Sequence, residues 1–352
     1  LSHGSLEFEG LSFGRNAAEL GGAGGSFGPL SDAKSVYWEN RAKVGCGAAF
    51  LPTSEEVTIR GSHFVRNKAL DGGALCTGNE TTLVVETASF EENEARFGGA
   101  LLLPGARLTL AGSSFSKNLG ETGGGAIGAT RGAHLHVTGS LFQGNEGEQG
   151  GALYVDGRAE VFRSAFVENQ ARQGGAIHGS ELHLENSTVA HNRASETGGG
   201  LFLYDGLFDL RFTTLVMNEA PMGGGLYGTE AYLSLGGTIV ARNTPHDLHL
   251  DHGENGELFS EGFNLLGIVL PEHRAMLSSS DLHGSSEWPL DPHLVEDLVS
   301  DHPSFSPRRG SPAVDAVPSF FCEKLLSESL IDQWGGRRPR GRACDAGSVE
   351  MY

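Results

Sequence analysis

The stretch HDLHLDH at residues 246–252 gathers histidine and aspartate side chains. If it forms a strand, Asp247, His249 and Asp251 share one face, because successive side chains of a strand point to opposite faces. Imidazole and carboxylate groups are suitable ligands for transition metals. The three residues are therefore a candidate site for a weakly bound divalent cation, and the sequence suggests no other cofactor. The alternative, which we favour, is an ordinary exposed strand.

A second chemistry to consider is cleavage of acidic polysaccharides. A lyase needs a Ca²⁺-binding carboxylate cluster and an Arg or Lys base, and a hydrolase needs paired carboxylates at a defined separation. The outward positions of successive repeats in this chain vary without building such a cluster. We therefore expect no catalytic residues.

Composition limits the partners. The chain has 352 residues, 53 of them glycine, and a formal net charge of −19. That charge repels nucleic acid and anionic membranes, so neither is expected as a partner. No apolar run is long enough for a transmembrane helix. The sequence begins at Leu1 without a charged or apolar leader, so we expect a processed chain.

The elements that would position any site come from an internal repeat. An asparagine recurs every 23 to 27 residues from Asn16 to Asn243, and three positions before each one stands a large apolar residue. Apolar pairs spaced by two, such as Leu108 and Leu110, precede that residue and mark a strand with one buried face. A glycine pair such as Gly98-Gly99 follows most of the asparagines.

A unit of about 25 residues made of short strands and glycine corners is one turn of a coil. We therefore predict an all-β fold, a right-handed parallel β-helix of about ten coils. Its repeats occupy residues 1–267, and a loop-rich tail at 268–352 caps the last coils. An exposed end of the helix is an unpaired β-edge, which implies more chain upstream, a covering loop or a partner, and self-association through the ends is one of the forms that such a partner can take.

Two columns of the repeat are predicted to be structural. The apolar residue points into the coil and stacks on its equivalents, and the asparagine lies at a corner, where its amide bonds to the backbone or to the next asparagine. The members are Phe64, Phe90, Phe115, Phe142 and Phe166, with Asn67, Asn93, Asn118, Asn145 and Asn169. Immediately before the asparagines stand charges of alternating sign, which we expect to pair along the column.

The motif FxxN followed by GGA[IL], as in Phe166–Asn169 and Gly174–Ile177, resembles the repeats of chlamydial polymorphic outer-membrane proteins over roughly residues 1–245. The C-terminal blocks are similar to the tail of bacterial β-helix proteins with a choice-of-anchor Q domain. These blocks are FNLLG (263–267), DPHL (291–294), SPAVDA (311–316) and DQWGGRRPRGRACDAGSVE (332–350). The resemblance implies a bacterial protein that is secreted or displayed at the cell surface.

In that family pattern Cys322 and Cys344 correspond to a recurring pair, which implies a disulfide. Two cysteines in an exported chain are also more often bridged than free. Cys46 and Cys76 lie on neighbouring coils but out of phase by three residues, so their pairing is left open.

The function that the sequence favours is an adhesin-like or filament-forming interaction protein without its own catalysis. Its expected partner is a protein or a surface glycan. The alternative is a polysaccharide lyase or hydrolase, or a glycan-binding β-helix.

Overall fold

In the computed structural model the repeat folds into an all-β parallel β-solenoid of about ten turns with about 4% helix, which confirms the predicted fold class. The structure describes residues 5–52, 54–251, 256–300, 302–327 and 330–351. The chain divides into two compact units. The first unit comprises Leu1–Ala159, Asn169–Arg172 and Ala176–Gly179, and the second comprises Glu160–Glu168, Gln173–Gly175 and Ser180–Tyr352. The tail boundary expected at residue 268 stays a prediction.

Each turn contributes to up to three parallel sheets. In the first unit, the first sheet contains Leu6–Glu9, Gly24–Gly25, Leu30–Ala33, Ala49–Leu51, Glu56–Arg60, Leu75–Thr77, Thr82–Glu86, Leu101–Pro104, Arg107–Ala111 and Ile127–Thr138. The second sheet contains Ser12–Gly14, Val36–Trp38, His63–Val65, Ser89–Glu91, Ser114–Ser116 and Leu141–Gln143. Short corner strands are Ala17–Ala18, Arg41–Ala42, Glu94–Ala95, Leu119–Gly120 and Glu146–Gly147.

In the second unit, the first sheet contains Leu201–Arg211, Leu226–Gly236, Leu248–Asp251 and Glu257–Gly262. The second sheet contains Ala165–Val167, Thr188–Ala190, Thr214–Val216, Ile239–Ala241, Leu265–Leu266 and Leu282–His283, and Arg193–Thr197 is a corner strand. The strands Leu153–Phe162, Gln170–Gln173 and Ile177–Glu185 are divided between the two units.

The C-terminal residues of the second unit contain its few remaining elements. They are the 3₁₀ helix Pro271–Met276, the antiparallel pair of strands Leu294–Asp297 and Ser304–Pro307, and the α-helix Ser319–Leu325.

Aromatic rings form a continuous stack inside the first unit. Neighbouring ring centroids lie 4.5 to 5.0 Å apart. The members are Phe13, Tyr37, Phe64, Phe90, Phe115 and Phe142. In the second unit Phe166 is also fully buried, but its strand neighbour at the equivalent position is Val189.

The asparagines form a hydrogen-bonded ladder beside this stack. The backbone N–H and the side-chain amide of Asn93 both donate to Oδ1 of Asn118, and each donor–acceptor distance is 3.0 Å. The same amide donates to the carbonyl oxygen of Phe64 at 2.9 Å. The pattern is repeated at Asn67, Asn118 and Asn145, and the ladder reaches Asn169. Each asparagine thus satisfies backbone groups at a corner that would otherwise be buried without partners.

The charged residues before the asparagines occupy an unexpected conformation. Arg15, Glu39, Arg66, Glu92 and Lys117 all have φ between 51° and 56°, in the left-handed region. The expected pairing is present for part of the column, because Glu39 accepts from Arg15 at 2.9 Å and from Arg66 at 3.2 Å. The corner therefore tolerates a strained backbone at a residue that carries a side chain.

The glycine pairs have two separate roles. Gly98 has a φ of 65°, which a glycine adopts without strain. Its neighbour Gly99 has no room for a side chain, because a Cβ there would lie 2.1 Å from the carbonyl oxygen of Gly125. One glycine therefore turns the chain, and the next allows two turns to approach closely.

Both cysteine pairs are bonded. Cys46 and Cys76 are joined in the first unit with their Cα atoms 5.6 Å apart, which resolves the pairing that the sequence left open. Cys322 and Cys344 are joined in the second unit with their Cα atoms 6.4 Å apart. Both separations lie in the usual range for disulfides.

A buried ion pair organises the end of the chain. Arg338 is fully buried and its Nη1 donates to Glu350 Oε1 at 2.9 Å. It also donates to the carbonyl oxygen of Gly347 and lies over the ring of Phe212, 4.6 Å from the centroid. The guanidinium thus joins the tail to a turn of the solenoid.

Candidate functional site

The three candidate metal ligands do not share the face of one strand. The strand begins at Leu248, so Asp247 precedes it and lies outside its alternation of side chains. Asp247 is fully buried, and its Oδ1 accepts from the backbone N–H and the side-chain amide of Asn243 at 2.9 and 2.7 Å. Its Oδ2 accepts from the backbone N–H of Ile268. Burial raises the pKa of Asp247 to about 6. In the second unit the side-chain amide of Asn192 donates to Asn218 and that of Asn218 donates to Asn243, so Asp247 ends this asparagine ladder.

The other two candidates lie on the outer face of the solenoid. The ring of His249 stacks on Tyr227 with centroids 5.3 Å apart, and Tyr227 donates its phenolic O–H to Asp251 at 2.8 Å. His252, also part of the motif, lies outside the described residues. Within the part of the chain that the structure describes, no group of three or more His, Cys, Asp or Glu side chains is arranged so that it could hold a metal ion. Metal binding at this motif stays a prediction.

On the outer face of the second unit, charged side chains form a cluster of ion pairs, which differs from the carboxylate arrangements that a lyase or hydrolase needs. His183 lies 3.4 Å from Glu185 and 3.1 Å from Asp209. Arg211 lies 2.9 Å from Asp209 and 3.2 Å from Glu261. We call these five residues the ion cluster. Parallel pairing brings them together, since outward residues of neighbouring turns lie side by side on the sheet.

The groups of the ion cluster hold one another in their charged forms. Burial alone would lower the pKa of His183, but hydrogen bonds to Asp209 and Glu185 outweigh it and raise the pKa to about 9. Burial also opposes ionisation of Glu185 and Asp209, yet hydrogen bonds from His183 bring the pKa of both below its ordinary value. A carboxyl group that acts as a general acid needs a raised pKa. The pKa of Glu185 and that of Asp209 are both lowered, which does not suit a general acid.

The tail is attached to the ion cluster. The backbone N–H and the hydroxyl of Ser327 donate to Glu185 Oε2 at 2.9 and 2.7 Å. Arg211 donates to the carbonyl oxygen of Leu325 at 2.8 Å, and Leu325 is itself fully buried. The cluster therefore secures the end of the helix Ser319–Leu325 on the first sheet.

Beside the ion cluster lies a group of exposed apolar side chains. Leu207 is 64% exposed, Tyr232 45% and Phe259 64%. Leu207 pairs in register with Tyr232 on the next turn. Phe259, on the turn after that, pairs with Ser234, which is two residues beyond Tyr232 in the same strand. We call these three residues the apolar row. Single exposed apolar residues are common on proteins, whereas large contiguous apolar patches are typical of interaction surfaces.

Carboxylates line the side of the apolar row that faces away from the tail. Glu257 pairs in register with Tyr232. Asp205 and Glu230 lie at equivalent positions of neighbouring turns, because the residues on both sides of them pair in register, and their φ angles are 45° and 51°. All three are exposed. Within the described ranges none of them makes an ion pair. We call them the acidic edge.

The spacing of apolar residues in the sequence carries a signal for both the ion cluster and the apolar row. The apolar pairs Phe208/Leu210 and Leu233/Leu235 have the spacing of two that predicts a buried face, and they are buried. The alternation of a strand then requires Leu207, Asp209 and Tyr232 to point outward. Comparing outward residues turn by turn would have placed the ion cluster and the apolar row on one face.

No family model, no curated protein and no solved structure matches the chain. The resemblances to polymorphic outer-membrane proteins and to choice-of-anchor Q tails therefore rest on the motifs alone. Among the described residues, none of the helices is long and apolar enough to cross a membrane.

Proposed function

We propose that the chain is a secreted or cell-surface interaction module of the adhesin type, which binds its partner on the apolar row. The observation that carries the proposal is the exposure of Leu207 and Tyr232 in register on neighbouring turns, with Phe259 diagonal to Tyr232 on the turn after. Exposed aromatic side chains supply large contact area at a low cost in conformational entropy. The proposed role is therefore recognition along the outer face of the first sheet.

The surroundings of the row suit a binding surface. Neighbouring strands are fixed by continuous backbone pairing, so Leu207 and Tyr232 are held at a constant separation. The ion cluster and the attached tail hold the adjacent positions in place. A rigid surface loses little entropy when it binds, which favours affinity.

The two disulfides support the location. Disulfides form and persist in oxidising environments such as the periplasm, the cell surface and the extracellular medium. Filament formation and self-association through the ends of the solenoid, which the sequence also suggested, remain predictions.

A second candidate function is polysaccharide cleavage. The specific observation in its favour is the ion cluster, in which Asp209 and His183 are partly exposed beside the rings of the apolar row. The lowered pKa of Asp209 favours a fixed carboxylate over a proton donor. We therefore rank this candidate below the binding module.

The experiment compares the wild-type chain with a row variant, Leu207→Ser/Tyr232→Ser/Phe259→Ser. Both are tested for retention on immobilised neutral polysaccharides, acidic polysaccharides and short peptides, while new reducing ends and unsaturated products are assayed in parallel. We expect at least one ligand that the wild type retains and the row variant loses, with no products. Retention that is the same for both chains, or product formation that Asp209→Asn abolishes, would contradict the proposal.

A further inference from the structure

We infer that the apolar row and the acidic edge together bind a cationic, partly apolar peptide segment of a partner protein. This inference rests on the proposed function and specifies the chemistry of the partner. It uses the exposed side chains of Leu207, Tyr232 and Phe259 and the carboxylates of Asp205, Glu230 and Glu257.

The negative charge of the chain and of the acidic edge favours a basic partner. The chain carries a net charge of −19, and the three carboxylates of the acidic edge make no ion pair within the described residues. The nearest cations of the ion cluster are already neutralised, because Arg211 contacts both Asp209 and Glu261 and His183 contacts Glu185 and Asp209. The surface potential above the row is therefore negative, and it attracts lysine and arginine side chains.

The apolar row suits the same side chains. Lysine and arginine carry apolar stems that pack on hydrophobic surface while their charged ends stay in water. The faces of Tyr232 and Phe259 also attract a cation by the cation–π interaction. A basic residue can therefore place its stem on the row and its charge at the acidic edge, and the apolar residues of the segment can cover Leu207.

The size of the surface fits a short segment. The row crosses neighbouring turns that lie about 4.8 Å apart, so its length is about 10 Å. Roughly three extended residues cover this distance. On the opposite side, Ser327 and Leu325 of the tail occupy the positions next to Glu185 and Arg211, so the segment is confined to the row and the acidic edge. A contact of this size is far smaller than a stable protein interface, and we expect micromolar affinity.

The test uses three labelled peptides of equal length: alternating leucine and lysine, alternating glycine and lysine, and alternating leucine and glutamate. Fluorescence anisotropy measures their Kd for the wild type, for the row variant and for an edge variant, Asp205→Asn/Glu230→Gln/Glu257→Gln. We expect the leucine–lysine peptide to bind the wild type. Its affinity should fall about tenfold or more in each variant, which is the loss expected when central contacts of an interface are removed.

A matched control removes the same charge elsewhere. Glu80→Gln/Glu91→Gln/Glu121→Gln changes three exposed carboxylates of the first unit that make no ion pair within the described residues. This variant should bind the leucine–lysine peptide as the wild type does. All substituted residues are exposed, and a thermal melt of each variant checks that its fold is unchanged.

The outcomes separate this inference from the proposed function. Equal losses in the edge variant and the control would show diffuse charge attraction and overturn the inference. If the leucine–lysine peptide fails to bind, but neutral xylo-oligosaccharides bind the wild type and not the row variant, the inference fails and the proposed function stands. If no peptide or oligosaccharide binding depends on the row, both fail.

Discussion

The second sheet is built in the same way in both units, but its outer face differs. In the first unit the outward residues, such as Ser89, Glu91 and Ser116, are exposed or half-buried. In the second unit the outward residues of Thr188–Ala190, Thr214–Val216 and Ile239–Ala241 are buried, so these strands have no solvent-exposed face.

The tail causes this difference. Thr188 donates to Gln333 Oε1 at 2.6 Å, and the backbone N–H of Ser348 donates to Thr214 Oγ1 at 2.9 Å. Gly347 packs so closely that a Cβ there would lie 2.7 Å from Ile239 Cδ1. The second unit is therefore covered on this sheet, whereas the first unit is stabilised from inside by its ring stack.

The two units therefore bury the faces of their repeats in different ways. The first unit repeats the same internal packing from turn to turn, and its exposed large apolar side chains, such as Leu20, Val44 and Leu70, are 39% to 48% exposed, less than Leu207 and Phe259 at 64%. The second unit uses the tail to cover one sheet, and it leaves the apolar row exposed on the other. This contrast is the reason for assigning the binding surface to the second unit.

The largest expected effect comes from breaking the ring stack of the first unit. Phe115 is fully buried between Phe90 and Phe142, with centroids 4.5 and 5.0 Å away. Phe115→Ala should lower the free energy of unfolding by about 3–5 kcal/mol, because it removes buried area and leaves a cavity. Denaturant unfolding measures the change. A loss below about 1 kcal/mol would show that the stack is not what stabilises this unit.

The tail of the second unit should lose stability when its disulfide is removed. Cys322→Ser/Cys344→Ser opens a loop with a sequence separation of 22 residues, which corresponds to about 3 kcal/mol in the chain-entropy model. Denaturant unfolding under non-reducing conditions gives the value, and intact mass with alkylation before and after reduction verifies the bond. An unchanged unfolding midpoint would mean that tail docking does not depend on this link.

The ion cluster gives the second unit a pH dependence between pH 6.5 and 9. The pKa of His183 is raised from its ordinary 6.5 to about 9, so its contribution is complete below pH 6.5 and is lost as the pH rises through 9. We expect a loss on the order of 2 kcal/mol over this range, which His183→Gln removes. Unfolding curves from pH 6 to 10 provide the measurement. The same slope in both chains would contradict this role of His183.

The smallest effect is expected at the charged corner of the first unit. Glu39 accepts from both Arg15 and Arg66, but all three side chains are substantially exposed. Glu39→Gln should therefore change the free energy of unfolding least of the four variants, and by less still at high salt. Unfolding at two salt concentrations tests this. A loss of unfolding free energy as large as that of Phe115→Ala would contradict this expectation, because it would show that surface charges stabilise the unit as much as the ring stack does.

The fold was accessible from the sequence because its signals repeat in phase. The spacing of Phe90, Phe115 and Phe142, with their asparagines, predicts a parallel solenoid without knowledge of any contact. The left-handed conformation at Arg66 and Glu92 was not accessible, since residue type there gives no glycine signal. The attachment of Ser327 to Glu185 was also not accessible, because no period relates the tail to the turn that it covers.

Radical footprinting of side chains tests the location of the binding surface most directly. With the leucine–lysine peptide at saturation, the oxidation rates of Leu207, Tyr232 and Phe259 should fall, while those of Phe27 and Leu70, which are 37% and 39% exposed in the first unit, should stay constant. Unchanged rates at Tyr232 and Phe259 with the peptide bound, or protection confined to the first unit, would contradict the account.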